Sequence, residues 1–169
     1  MKQAIAGVVP ADVEEVKAMT VWPSISAYRL GRVLGTACAI RWPDVYIFRV
    51  GNLMALPSIL PAILLYFWKV LPRVGIRYCL TNRRVVVQRG MKGVDERAIE
   101  LDEFDSIEVD VLPGQSYYDA GDLVFKSDGT ERFRLAGVSR PEAFRQCCLK
   151  ARAAFVGVKE VLEQQTAAV

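Results

Sequence analysis

The chain has 169 residues, 52% hydrophobic and 24% charged, with a formal net charge of +3. That balance argues against a disordered chain and against a multi-pass transporter. The complete lack of histidine removes the commonest general base and metal ligand.

The net charge hides a segregation. Lys69 to Arg97 holds eight basic residues against Asp95 and Glu96, and Ala98 to Asp122 then holds eight acids and no base. Cys38, Cys79, Cys147 and Cys148 show no C-x-x-C spacing and read as buried, reduced thiols. The first twenty residues include Asp12, Glu14 and Glu15 and contain no apolar run ending in a cleavage site, so no cleaved signal peptide is expected.

Residues 1–49 read as an N-terminal segment. Within it, Ser24 to Ile40 puts Ile25, Tyr28, Val33 and Leu34 near one helical side and Arg29 and Arg32 on another, the pattern of a helix lying in a membrane interface. Residues 50–71 read as a membrane anchor. Val50 to Trp68 is nineteen residues without a charge, and at about 1.5 Å per residue such a helix reaches roughly 28 Å, near the hydrocarbon thickness of a bilayer. Val50, Leu53, Leu56, Leu60, Leu64 and Trp68 are the expected lipid-facing positions. Pro57 and Pro61 interrupt the run, so the segment is expected either to span as a kinked helix or to turn back as a re-entrant hairpin. Trp22, Trp42 and Trp68 fit aromatic markers at headgroup level. Arg32, Arg41 and Arg49 precede the span whereas Lys69, Arg73, Arg77, Arg83 and Arg84 follow it, which predicts a cytoplasmic C-terminal domain on an inner membrane.

Beyond Pro72 the pattern changes to strands. Gly75 to Thr81 and Arg84 to Arg89 flank the Asn82-Arg83 corner, with Val85, Val86 and Val87 suited to a pleated surface. Ala98 to Leu112 continues as strand, but its alternation slips between Asp102 and Phe104, as a bulge or short turn would produce. Leu123 to Ser127 and Glu131 to Val138 flank Asp128-Gly129-Thr130, a strong hairpin signal. Ser139-Arg140-Pro141-Glu142 fits a capping box. The helix after it carries Phe144, Cys148, Ala151, Phe155, Val158 and Leu162 at steps of three and four, a stripe that predicts core packing. Residues 156–169 read as a helix extension or tail.

Tyr78-Cys79-Leu80-Thr81-Asn82-Arg83-Arg84-Val85, then Gly90, Ile99-x-Leu101, Phe104-x-Ser106-Ile107 and Tyr117 to Asp122, resembles the bacterial pleckstrin-homology domains of the bPH2 type (formerly DUF304) over about residues 72–155. Together with the expected anchor, the resemblance gives a membrane-anchored α+β protein. Its interfacial and transmembrane helices would precede a bent antiparallel sheet of about seven strands, capped by a C-terminal helix. It implies no enzymatic activity, and the basic loop of phosphoinositide-binding relatives has no matching motif here.

Other chemistry finds little support. Glu108-Val109-Asp110 lacks the loop and glycine of a calcium site, and the glycines Gly90 and Gly93 do not form a P-loop. No catalytic residue, metal or cofactor is therefore expected. Nucleic-acid binding is not expected either, because between Lys69 and Arg97 only Tyr78 is aromatic. The expected function is a non-catalytic scaffold or accessory subunit of a membrane protein complex, docking a partner or a second copy through Glu100, Asp102, Asp105 and Asp110. The alternative is a reader of anionic lipid headgroups using Lys69, Arg73, Arg77, Arg83, Arg84 and Lys92.

Overall fold

The computed structural model describes residues 15–39, 50–70, 75–90 and 92–167, with backbone alone for 50–56, 69–70, 161–163 and 165–167. Four strands, β1 (Lys17–Val21), β2 (Ile76–Thr81), β3 (Arg84–Arg89) and β4 (Val94–Glu100), form one antiparallel sheet in chain order. A second antiparallel sheet holds β5 (Ser106–Asp110), β6 (Ala120–Ser127) and β7 (Thr130–Ser139). Helices α1 (Arg29–Cys38) and α2 (Val50–Val70) lie between β1 and β2, and α3 (Pro141–Ala167) ends the chain.

The run of residues that carries the family resemblance works as a structural clasp. At the β2–β3 corner the Thr81 hydroxyl accepts from the amides of Arg83 and Arg84, at 3.2 and 3.0 Å, and donates to the Arg84 carbonyl. Asn82 then fastens the start of β1: its side-chain oxygen accepts from the Val16 amide at 3.1 Å, and its own amide donates to the Val16 carbonyl. The Arg83 carbonyl accepts from Leu101, the residue after β4. One corner thus ties β2 and β3 to the start of β1 and the end of β4.

Alternation slips after β4 because the chain there leaves one sheet for the other. Leu101 and Phe104 are fully buried in that passage while Asp102, Glu103 and Asp105 point outward. Between β6 and β7, Asp128 and Gly129 both take positive φ (52° and 73°), the requirement of a type I′ hairpin turn, and Asp and Gly are among the residues that tolerate it best. The core between the sheets gathers Leu80, Val85, Ile107, Leu123, Leu135 and an edge-to-face chain of Phe104, Phe125 and Phe133. Tyr78 reaches across it, its hydroxyl donating to the Ala136 carbonyl of β7 at 2.8 Å. Burial pushes that phenol's pKa well up.

Phe144, Cys148 and Ala151 of α3 close the core with no measurable exposure. The same helix guards the free edge of β5: Arg145 donates to the Ile107 carbonyl and Arg152 to that of Phe104. An unpaired edge invites strand addition, and these guanidinium groups occupy its acceptors.

Three expectations need correction. The domain starts at β1, far upstream of residue 72, since Val21 pairs with Tyr78 and Lys17 with Thr81. Its five residues KAMTV give little periodicity, and their strand character comes from pairing with β2. The capping box does not form: Ser139 belongs to β7 and donates to the Trp22 carbonyl, Arg140 takes φ 50°, and Glu142 pairs with Arg145. The expected membrane span is not supported, as no helix among the described residues is long and apolar enough to cross a bilayer. Val50 to Trp68 is helical, but Pro57 and Pro61 lie inside the helix.

Candidate functional site

The segment between β1 and β2 supplies neither a strand of the two sheets nor the closing helix α3. It begins and ends at neighbouring backbone positions, because Val21 and Tyr78 are partners across the β1–β2 ladder. The first part is tied to the body. Ser24 donates its amide to the Gly137 carbonyl at 2.7 Å, and Pro23 bridges to Val138 of β7.

Helix α1 docks through glycine. Gly31 and Gly35 are its buried residues. A Cβ at Gly31 would overlap the Ile25 carbonyl, and one at Gly35 would overlap the Gly114 carbonyl and the Tyr118 ring. Gly114 reciprocates, at φ 84° against the Arg32 carbonyl. Backbone therefore meets backbone, which side chains of any size would prevent. The helix consequently turns Val33 outward (63% exposed) together with Leu30, while Leu34 of the expected apolar side is half-buried.

The loop that receives α1 is held by buried polar groups. Gln115 is fully buried; its side-chain oxygen accepts from the Leu112 amide, and its Nε2 donates to Asp122 at 2.6 Å. Asp122, also buried, accepts in addition from the Gly137 amide at 2.8 Å and from Arg134 at 3.3 Å. Sequence reasoning missed Gln115 and read Asp122 only as part of the acidic block. The Gly31-x-x-x-Gly35 spacing was the visible signal for a close helix contact.

Helix α2 packs against α1, where Ser58 Oγ lies 3.8 Å from Cys38 Sγ. Ser58, Pro61, Ala62 and Leu65 share that helix face and are half-buried. The other described faces are bare. Leu60 is 72% exposed, Phe67 65%, Leu64 64%, and Ile59, Ile63, Tyr66 and Trp68 are exposed with them. A contiguous apolar surface of this kind marks a contact with something apolar. Of the six anchor positions expected, Leu60, Leu64 and Trp68 are in this surface; the side chains of Val50, Leu53 and Leu56 lie outside the described residues.

The expected headgroup contacts are not brought together as a free cluster. Arg84 is held by Glu15 at 2.9 Å and Asp95 at 3.3 Å. Arg77 donates to Gln88, a buried residue that also accepts from Lys17 and Cys79 and donates to Asp95. Arg83 is half-buried at the clasp, Lys92 is exposed, and Arg73 and the Lys69 side chain fall outside the described residues. Three of the four expected docking acids are likewise engaged within the chain: Asp102 with Lys159 at 2.8 Å, Asp105 with Arg152 at 3.5 Å and Asp110 with Arg134 at 3.0 Å. The Lys159 hydrogen bond holds the Asp102 carboxyl below its usual pKa. Only Glu100 stands exposed without such a salt bridge among those found. No group of three or more Cys, Asp or Glu among the described residues could hold a metal ion.

Two antiparallel sheets of four and three strands closed by a C-terminal helix define a pleckstrin-homology-like domain, here with a helical insert. The chain matches the bacterial PH domain family, bPH_2, over residues 13–152, and it belongs to that family. The match starts ahead of β1 and runs through the insert into α3, in agreement with the domain limits seen in the fold. Comparison with curated proteins finds no match.

Proposed function

We propose that this protein is a non-catalytic scaffold or accessory subunit, attached to a membrane through the α1–α2 insert and presenting its PH-like body to a protein partner or to other copies of itself. The observation that carries this reading is the bare apolar surface of α2, set on a domain whose own charges are largely paired with each other. Water penalises that exposed surface at about 25 cal/mol per Å², and hydrocarbon removes the penalty. The lipid-headgroup alternative is weaker, because Arg84 already has two carboxylates and Arg83 sits in the β2–β3 clasp.

The test compares the full chain with one in which residues 23–75 are replaced by a short Gly/Ser turn, a connection that the adjacency of Val21 and Tyr78 permits. The full chain should sediment with membranes, require detergent for release and bring a defined protein with it. The shortened chain should remain in the supernatant. A full chain recovered in the soluble fraction would refute the attachment, and one extracted as a bare monomer would refute the scaffold.

A further inference from the structure

We infer that α2 lies within one leaflet, both its ends on the side of the PH-like body, and that the leaflet it enters is anionic. This rests on the membrane reading above and adds the manner of insertion and the class of lipid. Parity decides how the insert can meet a membrane. β1 and β2 pair in one sheet, so the two ends of the insert are on the same side of any membrane, and the number of crossings between them must be even. Helix α1 cannot supply a crossing: its 10 residues reach only about 15 Å, half the hydrocarbon thickness, and its glycine face is fixed against the loop at Gly114. Residues 40–49 carry Arg41, Asp44 and Arg49, too many charges for a span. That leaves α2 alone, and one crossing is odd.

The side chains agree with insertion along the surface. An interfacial helix keeps one face out of the hydrocarbon, and in α2 that face is Ser58, Pro61, Ala62 and Leu65, half-buried along the side that meets α1. Tyr66, Phe67 and Trp68, exposed beside Lys69, belong to the aromatic class that favours headgroup level. Charge selects the lipid: from Trp22 to Gly75 there are six basic residues, Arg29, Arg32, Arg41, Arg49, Lys69 and Arg73, against Asp44 alone. The insert is thus +5 in a chain whose total is +3, and polybasic segments beside apolar surface are drawn to anionic headgroups.

The test uses two full-length variants, Asp44→Cys in the insert and Gly157→Cys on α3, where the glycine is exposed with open space around it. In spheroplasts of expressing cells, a membrane-impermeant maleimide should label both positions or neither, scored above the labelling of the unsubstituted chain, and cell lysis should expose both. Labelling of one but not the other in intact spheroplasts would overturn the single-leaflet insertion while leaving membrane attachment standing. In parallel, purified full chain is floated with phosphatidylglycerol-containing vesicles and with pure phosphatidylcholine vesicles. About tenfold more should float on the first at low salt, with the difference shrinking as salt rises. Equal flotation on both would overturn the anionic preference. No flotation on either would overturn the insertion and the membrane reading together.

Discussion

Asp122→Ala should unfold the seat of α1 from a distance. Asp122 is 3% exposed, and its carboxylate accepts from Gln115 Nε2 at 2.6 Å, from the Gly137 amide at 2.8 Å and from Arg134 at 3.3 Å. Truncation leaves the first two donors buried without an acceptor, at about 1–3 kcal/mol each, hence about 2–6 kcal/mol in all. Arg134 loses little, since Glu131 at 2.9 Å and Asp110 at 3.0 Å remain and exposed pairs contribute at most about 1 kcal/mol. For a chain of this size that loss lowers Tm by about 5–20 °C. Thermal unfolding followed by circular dichroism measures the cost, and hydrogen exchange at 112–119 locates it. Asp110→Ala is the control, expected within about 0.5 kcal/mol of the unsubstituted chain. Asp122→Asn should fall between, because one oxygen can still serve Gln115 and Gly137 while the new NH2 opposes Arg134. If Asp122→Ala cost no more than Asp110→Ala, the buried network would not be what holds the loop.

Phe144→Ala removes a fully buried ring from the α3 stripe and should cost about 3–5 kcal/mol by chemical denaturation; an unchanged midpoint would mean that α3 does not close the core. On the acid side, the Arg84 hydrogen bond holds Glu15 below its ordinary value of 4.5. A lowered folded pKa contributes stability that is whole above the ordinary value and is lost as pH falls through the folded one. Arg84→Met should therefore flatten the acid limb of the stability profile below about pH 4.5, by about 0.5–1 kcal/mol after allowance for solvent screening of so exposed a pair. A limb of unchanged steepness would show that the Glu15–Arg84 contact is not maintained in solution.

The body of the fold was legible where local chemistry decides structure. The β2–β3 corner, the Asp128-Gly129 turn and the apolar stripe from Phe144 to Ala151 each signal themselves within a few residues, and each lies where the sequence pattern puts it. The slip between Asp102 and Phe104 was visible too, although nothing local says that it carries the chain from one sheet to the other. β1 was not legible, because KAMTV becomes a strand only through β2, some sixty residues away. The capping box failed for a related reason: Ser139 extends β7 and bonds to Trp22, a competition that the motif itself cannot reveal. At the candidate site the limits were the same. Charge blocks are readable in sequence, but whether Asp102 or Arg84 faces a partner or its own chain depends on Lys159 and Glu15, which lie far off in sequence.

The position of the insert also bears on how the body is held. An anchor joined at one end of a domain would leave the domain free to tumble about its linker. Here both ends enter the sheet, through β1 and β2, and α1 is pressed backbone to backbone onto the Gly114 loop. With α2 resting on α1, the apolar surface has a fixed direction relative to the two sheets. The insert carries +5 and the remaining chain is net −2, so on the proposed insertion an anionic leaflet that attracts the insert would repel the body. On that proposal, attraction, repulsion and the glycine contact would together specify one orientation. Widening that contact should blur it: Gly35→Leu, which drives a side chain into the Gly114 carbonyl and the Tyr118 ring, is expected to leave the protein on the membrane, because the apolar side chains of α2 are unchanged. It should nevertheless raise proteolysis and hydrogen exchange at 112–119 relative to the parent chain. Exchange at that loop as slow as in the parent would show that the glycine contact does not set the orientation.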